Sequence, residues 1–218
     1  MKLEGLKINF LGDSITEGVG VADPANIFHQ RLKRSAGLAE ARNYGVGGTR
    51  IAPQHKKSDI EQWDLDFLMR ADAMDPDADM IVVFGGTNDY GHGDAPVGSI
   101  DDRTPYSFCG ALHVLIRKLY DMYPGKTIVF MTPTHRLNES SPRGDGYKAP
   151  TLPLSGYVDV IKDVCRHYAI PVLDLFAVSS IQPDVESQMR LFMPDGLHPN
   201  DAGHAIIASR LEGFLRGL

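Results

Sequence analysis

Five candidate strands punctuate the chain, all but the second being short, largely apolar runs, and apolar residues at helical spacing fill the intervals between them. The candidate strands are residues 7–11 (Lys-Ile-Asn-Phe-Leu), about 40–46, Met80–Phe84, Thr127–Met131 and Ile170–Leu175. Continuous apolar character belongs to strands covered on both faces, whereas a half-exposed strand alternates. Between the runs, Thr104 and Pro105 read as the N-cap and first turn of a helix carrying Phe108, Leu112, Leu115, Ile116 and Leu119. Val158, Ile161, Val164, Cys165 and Tyr168 repeat the spacing, and Asn200 caps a last helix with Ile207, Leu211, Phe214, Leu215 and Leu218. Strands alternating with helices demand a parallel sheet, right-handed crossovers and helices on both faces. At 218 residues, with no repeat or low-complexity linker, the expectation is one α/β domain spanning 1–218.

Composition narrows the partners. Hydrophobic residues at 43% and charged residues at 23% describe a folded chain, and a net charge of −6 repels phosphate backbones, so nucleic acid is not expected. Arg31-Leu32-Lys33-Arg34 reads as a solvated helix face. No apolar run approaches the roughly 20 residues of a membrane span. The opening Met1-Lys2-Leu3-Glu4-Gly5-Leu6 lacks the apolar core of a secretory signal, so the expected location is cytoplasmic. Cys109 and Cys165 lie in apolar helical patterns and read as buried free thiols.

Two stretches, 86–103 and 133–155, read as long loops rich in Gly, Pro, Asp, Ser and Arg. They follow the third and fourth strands, and an open α/β sheet binds ligands beyond its strand carboxyl ends. Four short motifs occupy related positions. Gly12-Asp13-Ser14-Ile15-Thr16 ends the first strand; its serine is either an exposed nucleophile or, with Asp13, a helix cap. Asn43-Tyr44-Gly45-Val46-Gly47-Gly48-Thr49 ends the second, and its glycines permit close approach of a ligand to bare N–H groups, or simply a tight turn. It matches neither the dinucleotide fingerprint nor a P-loop. Gly85-Gly86-Thr87-Asn88-Asp89 follows the third strand, where Asn88 is an oxyanion donor or an Asx-turn residue. Asp195-Gly196-Leu197-His198-Pro199 precedes the last helix, with a carboxylate and an imidazole three residues apart.

Taken in chain order, these four motifs resemble the blocks of the SGNH hydrolase superfamily, the GDSL-like esterases, across essentially the whole chain. Ile15 replaces the leucine of the family's eponymous motif, and the Gly-x-Ser-x-Gly elbow of ordinary α/β-hydrolases is absent around Ser14. The resemblance implies a flavodoxin-like three-layer α/β/α sandwich with a five-stranded parallel sheet, the SGNH hydrolase fold. It implies Ser14 as nucleophile, with Asp195 and His198 completing the catalytic triad. It implies an oxyanion hole of the Ser14 and Gly48 N–H groups and the Asn88 side chain, with Gly45 or Gly47 as alternatives to Gly48. It implies no cofactor.

Asp13, Tyr90 and His92 are further candidates for substrate contact. His29, His55, His113, His135, His167 and His204 read as surface or satisfied core residues; His135 and Glu139 form a lone pair, so no metal site is expected. Asp72, Asp75, Asp77 and Asp79 read as a solvated turn at the opposite end of the sheet, and Trp63 as the anchor of a helix around 59–73. The expected substrate is a small-molecule ester with a short acyl group, acetyl above all, on a sugar or similar polar alcohol. The motive is the polar chemistry of the two loops: Tyr90, His92, Asp94, Ser99, Asp101, Asp102 and Arg103 in one, and Thr134, His135, Arg136, Asn138, Glu139, Arg143, Asp145, Tyr147 and Lys148 in the other. A lysophospholipase, thioesterase or longer-chain lipase is the alternative on the same machinery, and a non-enzymatic flavodoxin-like binding module is a third reading.

Overall fold

A computed structural model of the chain describes residues 1–146, 149 and 151–218; Tyr147 and Lys148 of the expected rim lie outside the described residues. Strands β1 (Lys7–Gly12), β2 (Glu40–Gly45), β3 (Met80–Phe84), β4 (Thr127–Met131) and β5 (Val172–Leu173) form one parallel sheet in the order β2-β1-β3-β4-β5. This is the flavodoxin-type order, in which the chain reverses its direction of travel between β1 and β3. A crevice opens at that reversal, beyond Gly12 and Phe84, which are register partners.

Successive strand residues supply two separate cores, because side chains alternate across a pleated strand. Leu11, Ile81, Val83, Ile128 and Phe130 pack against helices α3 (Phe67–Ala71), α5 (Phe108–Met122) and α6 (Leu154–His167). Ile8, Phe10, Val82, Phe84, Val129 and Met131 pack on the other face against α2 (Phe28–Ala36) and α9 (Asp201–Gly217). The three layers follow from that alternation. Cys109 and Cys165 are buried free thiols within the first core. No helix among the described residues is long and apolar enough to cross a membrane.

Several boundaries differ from expectation for local reasons. Helix α5 is capped by Ser107, whose Oγ accepts the Gly110 N–H at 3.1 Å, and Thr104 stands exposed upstream of it. Strand β5 is shorter than 170–175, because Asp174 caps the short helix α7 (Leu175–Val178), which turns the chain out of the sheet toward α8 (Glu186–Phe192). No helix runs through 59–73; a 3-10 turn at Glu61–Asp64 precedes α3, which starts at its own cap, Asp66. The stretch after β3 is not a loop throughout: Gly86, at φ 106°, bends the chain straight into α4 (Thr87–His92). At the amino end of the sheet the acidic stretch is paired rather than simply solvated. Asp77 binds Lys7 at 2.6 Å and Arg42 at 2.5 Å, Asp79 binds Lys126 at 3.2 Å, and Asp72 binds Lys118 at 2.6 Å.

Candidate active site

Ser14, Gly48 and Asn88 follow the carboxyl ends of β1, β2 and β3, Asp195 and His198 come from the turn before α9, and the crevice brings them together. Ser14 opens the short helix α1 (Ser14–Glu17) directly after β1, with Asp13 as its N-cap. Its hydroxyl lies 3.0 Å from Nε2 of His198. On the other side of the ring, Nδ1 meets Asp195 Oδ2 at 2.7 Å. An ionised carboxylate can only accept, so Nδ1 carries the proton and Nε2 faces the serine as an acceptor. Asp195 is itself held by its own turn: Oδ1 accepts the N–H groups of Leu197 at 2.8 Å and His198 at 2.7 Å. Gly196, at φ 76°, makes that turn, and Leu137 packs where a side chain would sit. Partial burial pushes the Asp195 carboxyl up, but the hydrogen bonds from His198 and Leu197 outweigh it and leave it below its ordinary range.

The glycine turn after β2 separates the three alternatives. The Gly45 N–H donates to Asn43 Oδ1 at 2.8 Å and the Gly47 N–H to Glu17 Oε2 at 2.7 Å. Among the described residues this leaves Gly48 as the glycine of the three whose N–H is uncommitted. Gly48 adopts φ 75°, and a Cβ there would fall 2.0 Å from the Trp63 ring. No other residue type fits that position without displacing the indole. Asn88 donates one amide N–H to the Thr49 carbonyl at 3.0 Å, which fixes the amide's orientation and leaves its second N–H for another acceptor.

These groups line a cleft of about 570 Å³ together with Glu17, Val19, Gly47, Gln62, Trp63, His92, Asp145 and Leu197. His92 is there as expected. Its ring lies 4.3 Å from that of Trp63, and Arg50 donates to its Nδ1 at 3.1 Å. A second cleft of about 360 Å³ shares Trp63 and His92 with the first. A groove of about 650 Å³ between α2 and α9 holds Arg31, Arg34, Glu212 and Arg216 and touches none of the expected site residues.

Two expected substrate contacts are corrected. Tyr90 is wholly buried, its ring 5.9 Å from that of Tyr157 and its hydroxyl donating to the Asn138 carbonyl. Asp13 is also buried; its Oδ1 accepts the Ile15 N–H at 3.0 Å, so it works beneath the serine and does not line the cleft. Burial pushes the Asp13 carboxyl up to about 6, against the lowering effects of that hydrogen bond and of the nearby His198 and Arg70 charges. Among the described residues of the expected rim, only His92 and Asp145 line the cleft. Trp63 is a cleft wall rather than a helix anchor, and Glu17, Val19 and Gln62 join it there without any expectation from the sequence. Loop composition carries no signal for them, although a lone tryptophan in a polar segment hints at a binding surface.

The remaining histidines are accounted for by packing: His55 Nε2 bonds the Tyr106 carbonyl at 2.9 Å, and the His167 ring lies 5.5 Å from that of His113 and 4.8 Å from that of Tyr168. His29 Nε2 bonds the Thr16 carbonyl at 3.0 Å, His113 bonds Tyr168 and the Ile100 carbonyl at 3.0 Å each, and His204 Nδ1 accepts the Phe28 N–H at 3.1 Å. Nδ1 of His135 meets Glu139 at 2.8 Å. No cluster of three metal-ligating side chains occurs among the described residues.

A serine, an imidazole and a carboxylate in line at the carboxyl edge of a flavodoxin-type sheet are the arrangement that nucleophilic hydrolases use. The chain belongs to the GDSL-like lipase/acylhydrolase family, whose model matches residues 10–206. Among solved structures it is similar to a protein from Lactobacillus plantarum at 30% identity and TM-score 0.82, covering 98% of each chain. It shares its fold with a two-domain esterase active on acetylated mannans, at 24% identity and TM-score 0.63, covering 98% of this chain and 49% of that one. It also shares it with a carbohydrate acetylesterase family member from Sinorhizobium meliloti, at 16% identity and TM-score 0.67, covering 98% of this chain and all of the other. No curated protein matches the sequence.

Proposed function

We propose that the chain hydrolyses short-chain acyl esters, acetyl esters foremost, of a carbohydrate or similar polar alcohol. Ser14 Oγ attacks the ester carbonyl while His198 Nε2 takes its proton, and Asp195 stabilises the resulting imidazolium. The N–H groups of Ser14 and Gly48 and the second N–H of Asn88 bind the oxyanion that develops. His198 then gives its proton to the leaving alcohol as the tetrahedral carbon collapses to an acyl-serine. Water, deprotonated by His198, attacks the acyl group; the acid leaves and the proton returns to Ser14.

The observation that carries the reaction is the continuous Ser14–His198–Asp195 chain, 3.0 and 2.7 Å long in its two links and open to the cleft. The substrate class rests on the cleft's lining. Among the described residues, Val19, Trp63 and Leu197 are its apolar side chains, set among Glu17, Gln62, Asn88, His92 and Asp145. Such a lining hydrogen-bonds hydroxyls and offers an aromatic ring face, and among the described residues it has no row of aliphatic side chains for a fatty chain. The likeness to the acetylated-mannan esterase extends to the fold, so the reading stands on the cleft itself. The test compares kcat/KM for acetyl, butyryl, octanoyl and palmitoyl esters of one alcohol, then acetate release from partly acetylated sugars. Acetyl should lead the series. Preference for octanoyl or longer, with no acetate released from any sugar, overturns the proposal.

A further inference from the structure

We infer that Arg70 is a positioning residue for the oxyanion hole, one guanidinium that locks together the three chain segments bearing its donors. The inference rests on the proposed roles of Ser14, Gly48 and Asn88. Arg70 lies in the last turn of α3 and reaches under the strand ends. Its Nη2 donates to the Gly12 carbonyl at 2.8 Å, two residues before Ser14. Nη1 donates to the Tyr44 carbonyl at 2.6 Å, at the entry to the glycine turn. Nη2 also donates to Thr49 Oγ1 at 2.9 Å, at the exit of that turn. Thr49 in turn supplies the carbonyl that holds the Asn88 amide at 3.0 Å.

Every proposed oxyanion donor is therefore at most a few bonds from one rigid cation. The cation is itself held: Nε donates to the Leu65 carbonyl at 3.0 Å, and the guanidinium lies 4.8 Å from the centre of the Phe67 ring. Four interactions in a fixed plane are what a guanidinium can make and an ammonium cannot. The acceptors matter as much as the donor. The last register pair is Gly12 with Gly45, and the Val46 N–H still donates to the Gly12 carbonyl at 3.1 Å; beyond these the paired strands end, and the sheet no longer sets the distance between Ser14 and the rest of the glycine turn. Arg70 bridges the two chains at that point. Burial lowers its pKa to about 10, still far above neutrality, so it remains a cation throughout the working range.

An oxyanion hole depends on donors held to within a fraction of an ångström, and a displacement of about 1 Å can cost about 10²-fold in rate. The test measures Arg70→Lys and Arg70→Met for kcat and KM on p-nitrophenyl acetate, and for affinity toward an alkylboronic acid, which forms a tetrahedral adduct with a serine hydroxyl. Circular dichroism and melting curves set a temperature at which each variant is folded. We expect kcat to fall roughly 10- to 100-fold with KM little changed, boronate affinity to fall in step, and lysine to restore little. A lower melting temperature with kcat and boronate affinity unchanged per folded molecule would reduce Arg70 to a structural residue and overturn the inference.

Thr49→Val removes one arm of the clamp while leaving the guanidinium in place, and serves where Arg70 variants do not accumulate as folded protein. It should lower kcat several-fold, and Thr49→Ser should retain the parent value; equal kcat in both overturns the inference by the same logic. Asn88→Ala separates this proposal from the one beneath it. If Asn88→Ala leaves kcat intact, the oxyanion reading itself fails. If Asn88→Ala is damaging and the Arg70 and Thr49 variants are not, this inference alone fails.

Discussion

Arg42 and Arg70 stand toward opposite ends of the same sheet and use the same functional group differently. Arg42 binds carboxylates: Glu40 and Asp77 at 2.5 Å each and Asp75 at 3.5 Å, partners that are about half exposed. Its hydrogen bond to Asp77, foremost among its contacts, raises its pKa above the usual range. Arg70 binds backbone carbonyls and a buried hydroxyl, and burial moves its pKa the other way. A carboxylate on a flexible stem can be replaced by water or by a neighbour at little cost. A carbonyl is part of the chain, and whatever holds it also holds the chain's path. The amino end of the sheet is thus a set of exchangeable pairs, and the carboxyl end is a frame.

The frame predicts a steep hierarchy of effects at the carboxyl end. Ser14→Ala and His198→Ala should each lower kcat by on the order of 10⁶-fold, because the pair acts as one unit. Their melting temperatures should stay close to the parent's, since both residues stand at the sheet's rim. Asp195→Ala should be milder, on the order of 10⁴-fold. If Asp195→Ala proved the most damaging of the three, the assigned roles would be wrong. Asn88→Ala should follow, lowering kcat by about 10²–10³-fold with a small effect on KM, because its donor acts on charge that develops in the transition state. A pure KM effect would make Asn88 a substrate-binding residue instead.

Asp13 tests the energetic side of the same frame. Its carboxyl is 2% exposed and its folded pKa is raised from 3.8 to about 6. Between these values the folded chain keeps a proton that the unfolded chain has released. The stability contributed by that proton is therefore complete below about pH 4 and is lost as the pH rises through 6. An asparagine in its place cannot ionise, yet its side-chain oxygen can still accept the Ile15 N–H. Asp13→Asn should match the parent at pH 4 and exceed it at pH 8, by about 2–3 kcal/mol in chemical denaturation. An advantage of equal size at both pH values would show that ionisation at this position is not the cause.

Helix α4 shows where the sequence is legible and where it is not. Ser14, Asn88, Asp195 and His198 are readable because each sits at a fixed offset from a strand end or a helix cap, features that local patterning reveals. Read as a loop, 86–103 makes Tyr90 and His92 simple neighbours and hides the periodicity that distinguishes them. On a helix, Asn88 and His92 are four apart and share a face, while Tyr90 lies on nearly the opposite face and points into the core. Trp63 reaches the cleft through a longer chain of causes. Arg50, buried, ties the Trp63 carbonyl and Asp64 together and also holds His92, a network spanning residues 50 to 92 that no local window contains. The glycine turn lies between these cases. Its place beside Ser14 at the cleft is legible, but choosing Gly48 needs the partners of Gly45 and Gly47.

The smallest effect belongs to the other end of the sheet, and it is the one that closes the comparison. Asp77 is exposed, with Lys7 and Arg42 as partners at 2.6 and 2.5 Å. The hydrogen bond from Arg42, followed by that from Lys7, holds its pKa below the usual carboxylate range. A depressed carboxyl contributes stability above its unfolded pKa and loses it as the pH falls, so the pair is fully formed at neutrality. Solvent and salt nonetheless screen charges in this position, and Asp77→Asn leaves Arg42 with Glu40 and Asp75. At about 0.5 M salt the variant and parent should melt together, with at most a slight deficit for the variant at about 10 mM salt. Their kcat and KM should be indistinguishable, because among the described residues Asp77 pairs with Lys7 and Arg42 and holds none of the turns that bear Ser14, Gly48 or Asn88. A salt-independent loss of stability, or any fall in kcat, would mean that the acidic turn before β3 belongs to the frame after all, and that the contrast between Arg42 and Arg70 is one of degree.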